Sequence, residues 1–187
     1  MNEPVEKLTE NQPRRLPRWV VGLAFFILLA FLVLIAWGLR RAQQGPIVIG
    51  QKVPYFTLHT FEGEQIKTAD LLGKVVVLNF WASWCKPCEQ EAADLQRAYE
   101  FYAPSGQVVF LGVDWVDTEP EALGYLDQFN ITYPNGPDLR TKISQIFRTT
   151  GVPETYFIDP EGNLAYVKKG PFLSINEIMA VIDPLIP

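Results

Sequence analysis

Cysteine and histidine are scarce in this sequence, whose 187 residues include two cysteines and a single histidine, His59. Two cysteines cannot supply the several cross-links that hold a disulfide-rich domain together. Two cysteines and one histidine also cannot form a four-ligand zinc site of the Cys/His type. The composition therefore excludes both a disulfide scaffold and a structural zinc domain.

Positive charge is also limited, with 16 Lys and Arg against 21 Asp and Glu residues and a net charge of −5. Nucleic-acid binding depends on clustered basic side chains, so no nucleic-acid partner is predicted. The charge is uneven, because residues 1–41 hold six basic and three acidic residues, whereas the remainder holds ten basic and eighteen acidic ones. A basic N-terminal segment therefore precedes an acidic body.

One long apolar run, from Trp19 to Leu39, contains no charged residue. At about 1.5 Å per residue, a helix of this length crosses the roughly 30 Å hydrocarbon core of a membrane. Trp19 and Trp37 suit the two membrane interfaces. The run predicts one transmembrane anchor over residues 19–39. A cleaved signal peptide is the alternative, since Ala36 and Gly38 resemble a small-residue cleavage site, although its apolar region usually spans about 7 to 15 residues.

The charges that flank this run predict its orientation in the membrane. Four basic residues precede the run and three follow it closely, which is a weak bias toward a cytoplasmic N-terminus. With one span available, we expect residues 1–18 in the cytoplasm, a linker at 40–49, and one globular domain at 50–187 outside it. The chain is then a single-pass protein of the inner membrane.

The order of the main elements in the body follows from the apolar patterns. Lys74–Phe80 and Gln107–Val113 are continuous apolar runs, typical of strands buried on both faces of a parallel sheet. Helices are predicted after them, at residues 85–102 and 119–129.

Shorter elements complete this pattern. They are a hairpin at Val53–Leu58 and Gln65–Ile66, a helical turn capped by Thr68, a minor strand at Ile131–Tyr133, a helix at Leu139–Arg148, a hairpin at Thr155–Ile158 and Leu164–Lys168, and a last helix capped by Ser174 and ending at Ile182. A β-α-β half followed by a β-β-α half predicts an α/β fold with a mixed sheet between helices, an N-terminal hairpin and a central βα insertion.

Both cysteines lie in one short motif, Trp84-Cys85-Lys86-Pro87-Cys88, between a buried strand and a helix. The free N–H groups and positive dipole of a helix N-terminus favour a thiolate, so Cys85 is the expected nucleophile. Cys88 is the expected resolving thiol, which closes the disulfide and releases a mixed-disulfide partner. The alternatives are a stabilising disulfide, worth only about 2 kcal/mol for so short a loop, and a metal half-site shared with a second subunit. We favour redox chemistry, because a C-x-x-C pair beside a βα pattern is its signature.

The region from Gly50 to near the end resembles the thioredoxin-like superfamily. The resemblance rests on KVVVLNFWASWCKPC at Lys74–Cys88 and GVPETYFID at Gly151–Asp159. It is greatest with the membrane-tethered, extracytoplasmic branch that includes the ResA, TlpA and CcmG (DsbE) thiol-disulfide proteins of cytochrome c maturation. The resemblance implies a thioredoxin-like fold and a protein-disulfide reductase that needs no cofactor beyond the Cys85–Cys88 disulfide. It also implies clients such as apocytochrome c or a heme-ligation factor, and a membrane thiol carrier as electron donor.

The resemblance implies roles for three further residues. Pro153 matches the cis-proline that lies against the cysteine pair, and Val152 before it would bind an extended client by β-augmentation; a rigid loop is the alternative. Glu91, three residues after Cys88, matches an active-site glutamate of the ResA and CcmG group. A partly buried carboxylate there would have a raised pKa and exchange protons with Cys88. The alternative for Glu91 is a first-turn residue stabilised by the helix dipole.

Other residues near the motif bear on the mechanism. Asn79 stands where thioredoxin itself has a buried aspartate, which argues against a general cytosolic thioredoxin. Trp84 is expected to be a partly exposed contact surface for clients, with simple packing as the alternative. Glu154 and Trp115 are expected to line the site, and His59 is expected on the surface.

Two other functions are compatible with the same motif. A disulfide-forming oxidase or isomerase could use it, since the direction of exchange depends on the relative stability of the two redox states. A copper(I) metallochaperone or oxidase-assembly factor could use Cys85 and Cys88 as thiolate ligands. Thioredoxin-fold copper carriers use a wider cysteine spacing and a distant histidine, and the C-terminal half has no histidine. The primary prediction is therefore a reductant without a metal; its client, its electron donor and its oligomeric state stay open.

Overall fold

A computed structural model describes residues 17–42 and 47–187 of the chain. The chain divides into two compact units, Met1–Gly45 and Pro46–Pro187. The predicted cytoplasmic segment, apart from its last two residues, and positions 43–46 of the predicted linker lie outside the described residues.

The first unit contains one long helix, α1 (Arg18–Ala42). Its stretch from Arg18 to Leu39 has a mean hydropathy of 3.0, and none of it is buried by protein. By length and composition this helix could cross a membrane. The predicted anchor at 19–39 therefore coincides with a helix, while its orientation stays a prediction.

The second unit is a five-stranded mixed sheet with helices on both faces, preceded by a two-stranded hairpin. In chain order its elements are β1 (Thr57–His59), β2 (Gln65–Lys67), β3 (Val75–Trp81), α2 (Lys86–Tyr102), β4 (Val108–Asp114), α3 (Glu119–Gln128), β5 (Asn135–Pro137), α4 (Lys142–Phe147), β6 (Glu154–Ile158), β7 (Leu164–Lys169) and α5 (Ile175–Ile182). The strand order in the sheet is β5-β4-β3-β6-β7, which is the predicted mixed sheet.

Strand β3 lies at the centre of the sheet, and all seven of its residues are buried. It runs parallel to β4 and antiparallel to β6, with Asn79 opposite Gly112 on one side and Thr155 on the other. Alternate β3 side chains enter two apolar clusters, one on each face of the sheet. Val76 and Leu78 belong to the first cluster, and residues of α2 and α5 contribute to the second. This burial fixes the strand's carboxyl end, from which the cysteine motif extends.

The N-terminal hairpin covers β5, which is an edge strand of the sheet. The Phe61 N–H donates to the Asn135 carbonyl at 2.9 Å. At Gly136 a Cβ would lie 2.1 Å from the His59 carbonyl oxygen, so only glycine permits this approach. The hairpin and the edge strand are therefore in direct main-chain contact.

Several local predictions differ from the structure. The first hairpin strand, predicted at 53–58, is β1 at Thr57–His59, and Ser174 lies at the N-cap of α5 without a side-chain capping bond. The minor strand predicted at 131–133 is wrong, because the paired segment is β5, where Asn135 aligns with Gly112. The helix predicted at 139–148 is interrupted, since Arg140 has a φ of 62° and the Asp138 carboxylate caps the N-terminus of α4 instead. Thr68 does not cap its turn; its hydroxyl bonds to the Phe56 main chain.

Candidate active site

The cysteine motif forms the junction between β3 and α2. Cys85 is the N-cap of α2, and its sulfur accepts a hydrogen bond from the Cys88 N–H at 3.1 Å. Pro87 lies in the first turn, where a missing N–H costs no helical hydrogen bond. The two cysteines form a disulfide with a Cα–Cα distance of 5.2 Å, and both are buried. The structure therefore places an oxidised pair at a helix N-terminus, as the sequence predicted.

Glu91 is the buried acid of this site. It lies three residues after Cys88 on α2, so the two side chains share one side of the helix. The residue is 1% exposed. Burial raises the pKa of Glu91 from 4.5 to about 7, against the opposing effects of the Phe172 N–H, the Asn79 amide and the Lys168 charge. Glu91 can therefore gain or lose a proton near neutral pH.

A polar network holds the Glu91 carboxyl group in place. The Asn79 side-chain amide donates to Glu91 Oε1 at 2.7 Å and to Thr155 Oγ1 at 2.9 Å. The Phe172 N–H donates to Glu91 Oε2 at 2.9 Å. The roles of Thr155 and Phe172 were not predicted from the sequence. Asn79 was noted only because thioredoxin itself has an aspartate at that position. The network connects α2 to β3, to β6 and to the segment before α5.

The predicted proline loop lies beside the cysteines. The Val152–Pro153 peptide bond is cis, and Pro153 is buried. Val152 packs against the apolar cluster that contains both cysteines. A groove of about 250 Å³ is lined by both Pro87 and Pro153, so the helix N-terminus and the proline loop share one surface. Within residues 47–187, neither the N–H nor the carbonyl of Val152 bonds to another main-chain group.

Glu154 anchors this loop from its C-terminal side. Its carboxylate accepts hydrogen bonds from the Tyr156 hydroxyl at 2.5 Å and the Thr150 hydroxyl at 2.7 Å, and Lys169 Nζ lies at 3.4 Å. Burial alone would raise the pKa of Glu154, but these hydrogen bonds and the Lys169 charge lower it below its usual value. Glu154 therefore stays ionised and ties Thr150 to β6 across the loop.

Other residues that the sequence analysis named lie partly at the site and partly away from it. Trp84 is 60% exposed beside Cys85, and Glu154 lines the groove. Trp115 instead lines a separate pocket with residues of α4, so the expectation that it borders the groove is not met. His59 is exposed in the hairpin. Within residues 17–42 and 47–187, no three His, Cys, Asp or Glu side chains are arranged to hold a metal ion.

Comparisons with known proteins agree with this geometry. Residues 49–167 match the AhpC/TSA family. A Bacillus cereus protein named thiol-disulfide oxidoreductase ResA is 33% identical over 123 residues, which are 66% of this chain and 70% of that protein. The thioredoxin-like protein YneN of Bacillus subtilis is 30% identical over 83% of this chain and 91% of its own length. The crystal structure of a thioredoxin-family thiol:disulfide interchange protein from Chlorobium tepidum superposes with a TM-score of 0.67 at 26% identity, covering 78% of this chain and 99% of that one.

Proposed function

The chain belongs to the AhpC/TSA family of thioredoxin-like proteins and is a thiol-disulfide oxidoreductase, and we propose that it is a membrane-anchored reductant acting outside the cytoplasm. The predicted resemblance to ResA-type proteins and the predicted fold are both confirmed. The observation that carries the proposal is the Cys85–Cys88 pair at the N-terminus of α2, beside the cis-proline loop and the buried Glu91.

The reaction begins with the reduced pair. The Cys85 thiolate attacks one sulfur of a client disulfide, forming a mixed disulfide while the other client sulfur leaves as a thiolate and takes a proton. Glu91 then accepts the proton of the Cys88 thiol, and the Cys88 sulfur attacks Cys85. The Cys85–Cys88 disulfide forms, the second client sulfur leaves as a thiolate, and Glu91 returns the proton. Two electrons pass from the enzyme to the client disulfide.

Client binding is assigned to the groove beside the proline loop. The N–H and carbonyl of Val152, which have no main-chain partner within residues 47–187, can pair with an extended client segment, as in β-augmentation. Exposed Trp84, which directly precedes Cys85 in the chain, supplies apolar area for client contact. By resemblance to the ResA group, the clients are apocytochrome c or a heme-ligation factor, and a membrane thiol carrier restores the reduced pair.

Trapping tests this function. In Cys88→Ala the resolving thiol is absent, so clients should accumulate as mixed disulfides on Cys85 and be released by dithiothreitol. Cys85→Ala is the matched control and should trap none. Apocytochrome c or a heme-ligation factor among the trapped proteins would support cytochrome c maturation; their absence from a full set of clients would contradict it.

The direction of exchange is tested by the reduction potential of the Cys85–Cys88 pair. A value near that of thioredoxin, about −270 mV, supports a reductant, whereas about −120 mV would indicate an oxidant.

The topology needs a separate measurement. The proposal rests on α1 as the anchor and on the charges that flank it. A reporter that is active only in the cytoplasm, fused after Pro187, should be silent. Activity of that fusion would overturn the extracytoplasmic placement.

A further inference from the structure

Two acidic residues, one buried and one partly buried, lie where β4 ends. Asp114 is the last residue of β4 and is 2% exposed, and Asp117 follows three residues later. One oxygen of each carboxyl group, Oδ1, is buried and receives no hydrogen bond from an N–H or hydroxyl group of the described residues. Hydrogen bonding to the Asp117 carboxyl group is among the causes that raise the pKa of Asp114. A hydrogen bond between two carboxyl groups requires a proton on one of them, because an ionised carboxylate can only accept.

Asp117 also contacts the main chain that leads to the nucleophile. Its Oδ2 accepts a hydrogen bond from the Ser83 N–H at 2.6 Å. Ser83 is two residues before Cys85, so their Cα atoms are at most about 7 Å apart. The adjacent Trp115 N–H donates to the Trp81 carbonyl at 2.8 Å. The segment after β4 therefore holds the start of the active-site loop through two hydrogen bonds.

We propose that Asp117 is a positioning residue for Cys85, and that the proton shared with Asp114 keeps Asp117 in the geometry that holds the Ser83 N–H. Loss of that proton places two negative charges side by side and weakens the hold on the loop. This inference rests on the thiol-disulfide function and adds a regulation of the same site by pH.

The surroundings of Asp114 set the pH at which this change occurs. Burial, the hydrogen bond to Asp117, and the charges of Asp117, Asp138 and Glu121 raise the pKa of Asp114 to about 8. Arg140 is the cationic residue among those lining the adjacent pocket of about 280 Å³, and it forms no ion pair with Asp114 in the described part of the chain. Above pH 8, ionised Asp114 adds a negative charge at the end of β4, where Asp114 lies opposite Trp81 at the start of the segment that leads to Cys85. That charge also opposes an approaching thiolate.

The test compares how fast dithiothreitol reduces the oxidised pair in wild type and in Asp114→Asn, from pH 6.5 to 9.5. The asparagine of this variant keeps a donor toward Asp117 at every pH but cannot ionise. Taking the ratio of the two rates cancels the ionisation of dithiothreitol and of Glu91. We expect a constant ratio of wild-type to D114N rates below pH 7 and a fall of at least about two-fold around pH 8. Asp127→Asn removes an exposed charge from α3, and its ratio should stay constant.

Two outcomes would overturn the inference. One is a wild-type to D114N ratio that stays constant up to pH 9.5, which would show that the pair does not act on the site. The other is an Asp117→Asn variant that is reduced as fast as wild type at every pH. The reductant role is judged separately by potential and trapping, so an oxidising potential together with a falling ratio would overturn that role alone.

Discussion

Replacing Glu91 by glutamine should remove a specific dependence of stability on pH. The pKa of Glu91 in the oxidised folded protein is about 7, against 4.5 without burial. Above pH 4.5 the unfolded chain loses this proton while the folded chain keeps it, so the free energy of unfolding falls as the pH rises. The fall is complete above pH 7, where both states are ionised. At about 1.36 kcal/mol per pH unit, it amounts to about 3 kcal/mol.

Urea unfolding of the oxidised protein under non-reducing conditions, between pH 4.5 and 8, measures this effect. The difference in free energy of unfolding between wild type and Glu91→Gln should shift by about 3 kcal/mol in favour of the variant as the pH rises. A glutamine oxygen can satisfy only one of the two N–H donors that face Glu91, which adds a pH-independent loss of about 1–3 kcal/mol. Asp114 titrates in both proteins and therefore cancels.

Glu89→Gln provides the matched control. Glu89 lies on the same helix, but it is partly exposed and pairs with Lys86 at 2.7 Å. Its variant should differ from wild type by a nearly constant amount. A constant difference for Glu91→Gln as well would show that Glu91 titrates at its usual value, and its role as a proton acceptor for Cys88 would then be wrong. If the role is right, the same variant should also slow resolution of mixed disulfides.

Other substitutions follow from the packing and the loop contacts. Gly136→Ala places a Cβ 2.1 Å from a main-chain carbonyl oxygen and should lower the free energy of unfolding by about 3 kcal/mol or more. Gly124→Ala lies in α3, where a Cβ meets nothing within 4 Å, and should raise the free energy of unfolding by up to about 1 kcal/mol. Thermal unfolding of the two variants measures both effects. Tyr156→Phe removes a donor to Glu154 and should cost about 1–3 kcal/mol at pH 7, and urea titrations should show this loss shrinking below pH 4.5 as Glu154 takes up a proton. Trp84→Ala should change the free energy of unfolding by less than about 0.5 kcal/mol but raise the KM for protein clients; an unchanged KM would contradict its role in client contact.

Local sequence patterns predicted the elements that carry the cysteines. The apolar run at 74–80 became β3, one residue further along the chain, and the helix predicted from Cys85 begins with that residue as its N-cap. These features depend on residues that are close together in the sequence, so they can be predicted from local composition and spacing. The mixed sheet followed from the order of such elements.

The buried network could not be predicted in the same way. The Asn79 amide contacts Thr155 because β3 and β6 pair in one particular register. The two residues are 76 positions apart, so neither strand's local sequence predicts this contact. The Phe172 N–H reaches Glu91 for a similar reason, since its segment is placed by the packing of α5. The segment 131–133 was favoured as a strand by its apolar side chains, but pairing with β4 selects Asn135, whose side chain accepts from the Trp81 indole. These outcomes are set by tertiary contacts rather than by local propensity.

The contact between the N-terminal hairpin and β5 has a consequence for self-association. Strand β5 has three residues, and an uncovered edge of this kind offers main-chain groups to any other chain. The Phe61 N–H already occupies the Asn135 carbonyl, and the hairpin backbone lies against Gly136. A fragment that starts at β3 would keep the cysteines and the proline loop yet lose this cover. Fragments intended to stay monomeric should therefore begin before Thr57, because the hairpin protects the sheet from edge-to-edge aggregation.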